Sequence, residues 1–336
     1  MGIVSRCKMK AKSAINSAVA KAEAGRPRGP EDPEAYAAEV AESIKGDVRM
    51  FSGCMDDQYS VDLCDASGFG GGACTNALVD TLNADEGGTW LSVLKGMQSR
   101  TADLDQVPQL STSGILDIHD NFFINNPSGS GRTRSLLIGI NYVGQPSELR
   151  GCHNDAMTMK DYILTHGYKG NPSNCRVLMD DGEHETPDRN SIIAGFRWLV
   201  EGAEAGDSLF FSYSGHGGSV EDTSGDEVDG MDETLCPVDG GYITDDVVFE
   251  ELVLPLVEGV TLTVVMDSCH SGSALDLPYE LKADKGTIAA VESGEQSSII
   301  GSNPKLGKLI LFGRDIYDIY ENAGKTGTSA RAAASH

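Results

Sequence analysis

Two short segments of this 336-residue chain carry residue types suited to nucleophilic catalysis. Residues 212–218 (SYSGHGG) contain His216, and residues 267–272 (DSCHSG) contain Cys269. A free cysteine thiol has a pKa of about 8.5 and is mostly protonated at neutral pH, so it needs a partner to become a nucleophile. An imidazole beside the thiol can take its proton and later deliver it to a leaving amine. The two segments are therefore candidates for a dyad that cleaves an acyl bond.

The elements that precede both segments predict that they meet. Each follows a continuous apolar run, 208–214 and 261–267, which is typical of a strand buried on both faces. Sites in open parallel sheets form at the carboxyl ends of strands, and neighbouring strands lie about 4.8 Å apart. Taken alone, a cysteine after an apolar strand is usually a core residue, and a histidine in a glycine-rich turn is usually a loop residue. Their joint position at two strand ends favours the dyad.

From residue 135 onward, apolar strands alternate with helices, which predicts an α/β fold with a mainly parallel sheet and helices on both faces. A long acidic loop is expected over 219–241. The other predicted strands are 48–53, 108–113, 135–142 and 175–180, and the predicted helices are 31–45, 73–84, 89–100, 152–166, 188–201 and 245–257.

Charge and cysteine content limit the classes of binding partner and the cellular compartment that we expect for this protein. The net charge of −25 argues against nucleic acid or an anionic membrane as a partner, and it suits divalent cations and cationic substrates. The chain has no apolar run of about 18 residues, so no membrane span is expected. Eight cysteines without a C-x-x-C pair indicate a reduced, intracellular and cytoplasmic protein. The basic start of the chain leaves organelle targeting open.

The motifs SYSGHGG and MDSCHSG strongly resemble the His and Cys motifs of metacaspases, which are caspase-like cysteine peptidases. Cys269 lies 53 positions after His216, which also agrees with the spacing of about 50 residues known for caspases. SLLIGINY, LRGCHNDA and CPVDGGYITDD match further family segments in order, so the resemblance covers about residues 134–280. It implies a caspase-like fold with six to eight strands, Cys269 as nucleophile and His216 as base. Backbone amides near Gly217 and Cys269 would form the oxyanion hole.

The N-terminal third is similar to the small, p10-like region of the same family, although that region usually follows the catalytic one. The segments VRMFSGCMDDQYSVD and WLSVLKGMQSR carry this similarity, and their early position resembles type III metacaspases. The resemblance implies a monomer. It divides the chain into a flexible basic tail (1–30), a small region (31–113), a linker (114–133), a p20-like catalytic region (134–280) and a C-terminal extension (281–336). Arg132 and Arg134 in and beside the linker are candidate self-cleavage sites.

The resemblance also implies a substrate class and a metal. The S1 pocket, which receives the substrate residue before the cut bond (P1), is acidic in this family and takes Arg or Lys. Its residues match Cys152, Asp155, Ser214 and Asp267. A run of acids is usually just a solvated loop, but family calcium positions match Asp232, Asp245, Asp246 and Asp276. Carboxylates from separate loops suit a hard cation such as Ca²⁺, so activation by Ca²⁺ is expected.

Two alternatives stay open at this point. A peptidase of the same fold could cut after Asp, and paired peptides ending in Arg and Asp would distinguish it. A non-catalytic calcium-binding or interaction protein on this scaffold would bind Ca²⁺ without turnover, although the intact cysteine and histidine argue against it.

Overall fold

The structure is a computed structural model, and it describes residues 40–53, 62–64, 70–84, 88–104, 106–127, 131–222, 231–268, 274–293 and 301–302. The strands of this part are β1 Asp47–Ser52, β2 Asp62–Cys64, β3 Gly70–Gly72, β4 Gln109–Thr112, β5 Thr133–Gly139, β6 Cys175–Met179, β7 Ser208–Ser214, β8 Gly217–Glu221, β9 Met231–Leu235, β10 Ile243–Thr244, β11 Thr261–Asp267, β12 Tyr279–Lys282 and β13 Gly301–Ser302. The helices are α1 Ala73–Asn83, α2 Trp90–Thr101, α3 Cys152–Thr165, α4 Arg189–Val200, α5 Asp245–Val248 and α6 Lys285–Ser293, and a π-helical turn spans Phe249–Val253.

An eight-stranded sheet in the order β13-β12-β4-β1-β11-β7-β5-β6 forms the centre of the described residues. The neighbours from β1 to β6 in this order all pair in parallel. Strands β4, β12 and β13 continue the sheet beyond β1 through antiparallel pairs. The predicted mainly parallel sheet is therefore confirmed.

Side-chain alternation along the central strands builds one apolar layer on each face of the sheet. Leu136, Phe211 and Val264 point into the layer that α4 covers, while Leu137 and Phe210 point into the layer that α1, α2 and α3 cover. Because both faces are covered, the central strands are continuous apolar runs rather than alternating ones. The prediction of helices on both faces is confirmed. None of the helices in the described part of the chain is long and apolar enough to cross a bilayer.

The predicted acidic loop 219–241 is wrong at both ends. β8 and β9 form an antiparallel pair in which Val220 lies opposite Asp232 and Glu221 lies opposite Met231, and β10 adds to β9. The acid count concealed the strand pattern, because Glu221, Asp232 and Glu233 themselves lie in the paired strands. The predicted helix 245–257 is α5 followed by the π-helical turn. Of the predicted helix 31–45, only residues 40–43 are described as helical.

The segment 114–127, predicted as part of a linker, packs tightly against the small region. Ile118 is fully buried, and its carbonyl accepts a hydrogen bond from Leu91 N at 2.8 Å. Trp90 N donates to Asp120 O, and the rings of Trp90 and Phe122 meet edge to face at 4.9 Å. The composition of this segment predicted a flexible linker, but a few apolar side chains are enough to pack it against the small region.

The two candidate self-cleavage residues are also held by the folded chain. Arg134 lies inside β5, and its guanidinium donates to the carbonyls of Trp198 and Glu201. Arg132 N donates to Asp207 Oδ1 at 2.7 Å, and its side chain pairs with the same carboxylate. A cut after Arg134 would sever β5, whereas a cut after Arg132 would fall directly before this strand. Self-cleavage stays a prediction.

The end of the predicted catalytic region forms a strand that pairs with a strand of the small region. β12 pairs with β4 over Tyr279–Lys282, so the expected boundary at residue 280 falls within a strand of the central sheet. α6 contacts α2, where Lys95 and Glu292 form an exposed ion pair. Regions that are separate in the sequence therefore share one sheet.

Candidate active site

The two central strands that carry the predicted dyad end side by side. Ser214 at the end of β7 is the register partner of Asp267 at the end of β11, and Gly215 N donates to Asp267 O. His216 stands two positions beyond the first of these partners, and Cys269 stands two positions beyond the second. Cys269 itself lies outside the described residues. The parallel register thus confirms that both motifs leave the sheet at one edge, where sites of parallel sheets form.

The imidazole of His216 is oriented by a main-chain carbonyl. Its Nε2 lies 2.7 Å from Ser147 O. A carbonyl oxygen only accepts hydrogen bonds, so Nε2 must carry the proton. Nδ1 is then the nitrogen that can accept a proton, which is the property a base needs. Sequence reasoning missed Ser147, because a contact through a backbone carbonyl leaves no side-chain signature. Gly217, the predicted oxyanion donor, opens β8 directly after His216.

Two buried tyrosines hold the backbone around His216. Tyr142 Oη accepts a hydrogen bond from His216 N at 2.9 Å and donates to Cys236 O at 2.6 Å. Tyr213 Oη donates to His216 O at 2.8 Å. Burial raises the pKa of both phenols well above the ordinary value, so both stay neutral. The sequence showed these residues only as apolar strand positions.

Three of the four predicted S1 residues meet in one buried cluster. Ser214 Oγ donates to Asp155 Oδ2 at 2.6 Å, and Asp267 is the next residue across the sheet from Ser214. Asp155, Ser214 and Asp267 are each at most 4% exposed. Cys152 is also buried and lies on the first turn of α3, three residues before Asp155 and on the same side of the helix.

Backbone amides of the small region complete this cluster, and sequence reasoning did not find them. Gly72 N lies 2.8 and 2.9 Å from the two carboxylate oxygens of Asp155. Thr75 N, in the first turn of α1, donates to Asp267 Oδ2 at 2.8 Å. A Cβ on Gly72 would lie 2.0 Å from Asp267 Oδ2, so glycine is required there. Amides at a helix start stabilise carboxylates, and here they allow two buried acids to remain close together.

The predicted calcium ligands occupy a different part of the fold. Asp245 accepts hydrogen bonds from Glu233 N at 2.7 Å and from Asp246 N at 3.1 Å. Asp232, Asp245 and Asp276 are buried, and Asp276 has a φ of 46°. Among the described residues, no group of three or more His, Cys, Asp or Glu side chains is arranged to hold a metal ion. The donor atoms suit Ca²⁺, but the described residues do not assemble a site for it.

Comparisons with known proteins agree with this geometry. Residues 133–278 match the model of the family described as "Metacaspase, peptidase C14 domain". Metacaspase III c of Phaeodactylum tricornutum is 40% identical over 306 residues, covering 85% of this chain and 88% of that protein. Metacaspase-1B of Neurospora crassa is 43% identical over 190 residues, covering 51% of this chain and 44% of that protein. Metacaspase-1 of Eremothecium gossypii is 48% identical over 166 residues, covering 47% and 36%.

The fold and the matched catalytic segment define a cysteine-type peptidase with a caspase-like α/β sheet. More narrowly, the chain belongs to the metacaspase family. The resemblance seen in the sequence motifs is thus confirmed, and so is the prediction of a hydrolytic enzyme. The family assignment also removes most of the support for a non-catalytic protein on this scaffold.

Proposed function

We propose that this protein is an endopeptidase that cuts after Arg or Lys through a dyad of Cys269 and His216. One observation carries the proposal. His216 is held by Ser147 O in the Nε2–H tautomer, at the sheet edge where the strand preceding Cys269 also ends. This arrangement leaves Nδ1 as the proton acceptor, which supports the role of His216 as general base.

The reaction follows from these roles. His216 takes the proton from the Cys269 thiol, and the thiolate forms a bond to the carbonyl carbon of the substrate. The developing oxyanion accepts hydrogen bonds from backbone amides near Gly217 and Cys269. The peptide C–N bond then breaks while His216 gives its proton to the leaving amine. Water, deprotonated by His216, hydrolyses the thioester and regenerates the thiol.

The buried acids support the preference for a basic P1 residue. Asp155 and Asp267 provide two carboxylates within one cluster, and carboxylates form charge-assisted hydrogen bonds with a guanidinium or ammonium group. An Asp side chain in the same place would add a third negative charge, so the site discriminates against it. Cys152 and Ser214 would border the same pocket.

A matched set of variants tests the dyad. Cys269→Ala and His216→Ala should each lower turnover of a fluorogenic peptide ending in Arg by about 10⁴-fold or more. The controls are Cys175→Ala in β6 and His184→Ala, whose side chain pairs with Asp181 away from the site. Full activity of either dyad variant, with both controls also active, would remove that residue from the mechanism. Comparing peptides ending in Arg and Asp tests the P1 preference separately.

We also propose that Ca²⁺ activates the enzyme through Asp232, Asp245, Asp246 and Asp276. The support is the donor chemistry, because Ca²⁺ binds six to eight oxygen ligands and all four residues offer carboxylates. The steps that Cys269 and His216 carry out do not involve the ion. Titration of turnover with Ca²⁺, beside a calorimetric titration of the Cys269→Ala protein, separates activation from binding. Equal turnover in Ca²⁺ and in chelator would refute this part.

The order of the two regions supports a type III arrangement. The strands at 47–52 and 109–112 precede the catalytic strands in the chain yet extend the same sheet. We propose a monomer, which light scattering on the purified protein tests. We propose an intracellular location, probed by microscopy of a tagged full-length chain.

A further inference from the structure

Tyr142 adopts a backbone conformation that is unusual for its residue type. Its φ is 54°, in the left-handed region that bulky side chains rarely occupy, and it is only 3% exposed. Such conformations persist where the surroundings over-determine them, and they concentrate at functional sites. Tyr142 directly follows β5 and the connection Ile140–Asn141, at the edge of the sheet that carries His216.

Contacts on both sides of Tyr142 enforce this bend. The carboxylate of Asp180, just beyond β6, accepts hydrogen bonds from Asn141 N at 2.8 Å and from Val143 N at 2.9 Å. Asn141 Oδ1 accepts from Cys152 N, which ties the bend to the start of α3. His153 Nε2 lies 2.6 Å from Asp180 Oδ1 and anchors that carboxylate. The bend is therefore built by three separate elements.

The bend directs the tyrosine ring onto the candidate base. The ring centroids of Tyr142 and His216 are 4.5 Å apart with an interplanar angle of 36°. Its hydroxyl accepts the His216 N–H, while the Tyr213 hydroxyl takes the His216 carbonyl as acceptor. The same two hydroxyls donate to the carbonyl of Cys236, directly after β9, so they hold the His216 turn against the small sheet formed by β8, β9 and β10. The turn contains glycines on both sides of His216 and would have wide backbone freedom without this clip.

We propose that Tyr142 is a positioning residue that holds His216 in the Nε2–H tautomer against Ser147 O, with Nδ1 directed for proton transfer. This inference rests on the proposed function of His216. Tyr142 does not exchange protons itself, because burial raises its pKa far above neutrality. Its effect on the reaction is geometric: it fixes the backbone and the ring plane of the base.

The test compares two deletions of a buried hydroxyl. Tyr142→Phe removes the contact to His216 N, and Tyr168→Phe removes a hydrogen bond to Ile124 O from an equally buried tyrosine elsewhere. We expect Tyr142→Phe to lower kcat by about 10- to 100-fold, the order of loss caused by a misplacement of about 1 Å. KM should stay within about twofold, because substrate binding is untouched. Tyr168→Phe should leave both constants near the wild-type values.

A spectroscopic measurement separates this inference from the proposed function. Nitrogen NMR of the His216 imidazole in the Cys269→Ala protein should show the Nε2–H tautomer, and adding Tyr142→Phe should produce a mixture of tautomers. This readout needs no turnover, so it stands even if the dyad variants contradict the mechanism. The inference would be overturned if Tyr142→Phe changed neither the tautomer nor kcat. It would also be overturned if the fall in kcat came with an equally large rise in KM and a fall in melting temperature. If Tyr142→Phe does not fold, Asp180→Asn carries the same test, because it weakens the acceptor that holds the bend at Tyr142 through Asn141 N and Val143 N.

Discussion

Gly72→Ala is the substitution with the sharpest expected effect on the acidic cluster. The new Cβ would lie 2.0 Å from Asp267 Oδ2, whereas real Cβ contacts are essentially never under 3.0 Å. Either the carboxylate or the β3–α1 junction must therefore move by at least about 1 Å. Asp267 accepts from Thr75 N and Asp155 accepts from Gly72 N, both at 2.8 Å, so such a movement breaks at least one of these bonds.

The expected loss of activity can be worked out from the number of hydrogen bonds that break. A hydrogen bond to a charged group contributes about 1.5 to 3 kcal/mol. At about 1.4 kcal/mol per factor of ten, one broken bond corresponds to roughly a 10- to 100-fold change. We therefore expect kcat/KM for a peptide ending in Arg to fall by about that factor, because the buried acids no longer hold the geometry that receives the cation.

The assay compares Gly72→Ala with Gly114→Ala, where an added Cβ meets nothing within 4 Å. Both proteins are measured with peptides ending in Arg, and thermal unfolding reports whether each is folded. The control should retain wild-type kcat/KM. If Gly72→Ala matches the control in both activity and melting temperature, the contact between the small region and the acidic pair does not exist as described.

Three further predictions concern single contacts. Asp155→Asn should lower kcat/KM for Arg peptides by about tenfold or more, because one of the two acids becomes neutral and its amide faces the Ser214 hydroxyl, and the ratio of Arg to Asp turnover measures this. Intact-mass analysis of active, folded protein should show no cut after Arg134, since the bond lies in β5; a fragment beginning at Ser135 would refute this. Burial alone would raise the pKa of Asp180, but hydrogen bonds from His153, Val143 N and Asn141 N hold it below the ordinary value. A depressed carboxyl pKa stabilises the fold above the unfolded pKa of about 4, and this stabilisation is lost as pH falls further. The stability gap between wild type and Asp180→Asn should therefore close on acidification below about pH 4, as denaturant melts at several pH values would show.

The broad architecture was predictable because it depends on local patterns. Apolar runs such as 208–214 and 261–267 are long enough to identify buried strands, and their alternation with amphipathic helices leaves few topologies. The glycines around His216 and the motif around Cys269 then mark the edge where a site can form. The resemblance of their motifs also singled out Asp155, Ser214 and Asp267, which the fold brings together.

Other features were misjudged because the relevant signal is not local. The segment 114–127 has the composition of a linker, yet burial of Ile118 against the small region makes it part of the core. β8 and β9 pair through Val220 and Met231, although half of the residues between these two positions are acidic. In both cases a few long-range apolar or backbone contacts outweigh the average character of the segment.

By itself, the sequence determined the class of fold and singled out the candidate base, the candidate nucleophile and the acids of the candidate S1 cluster. Only the tertiary structure decided what holds them. Gly72 N and Thr75 N reach Asp155 and Asp267 across 83 and 192 residues of chain. Ser147 acts through a carbonyl that every residue possesses. Backbone donors and acceptors are identical at almost every position, so their partners become specific only when the fold brings distant segments together.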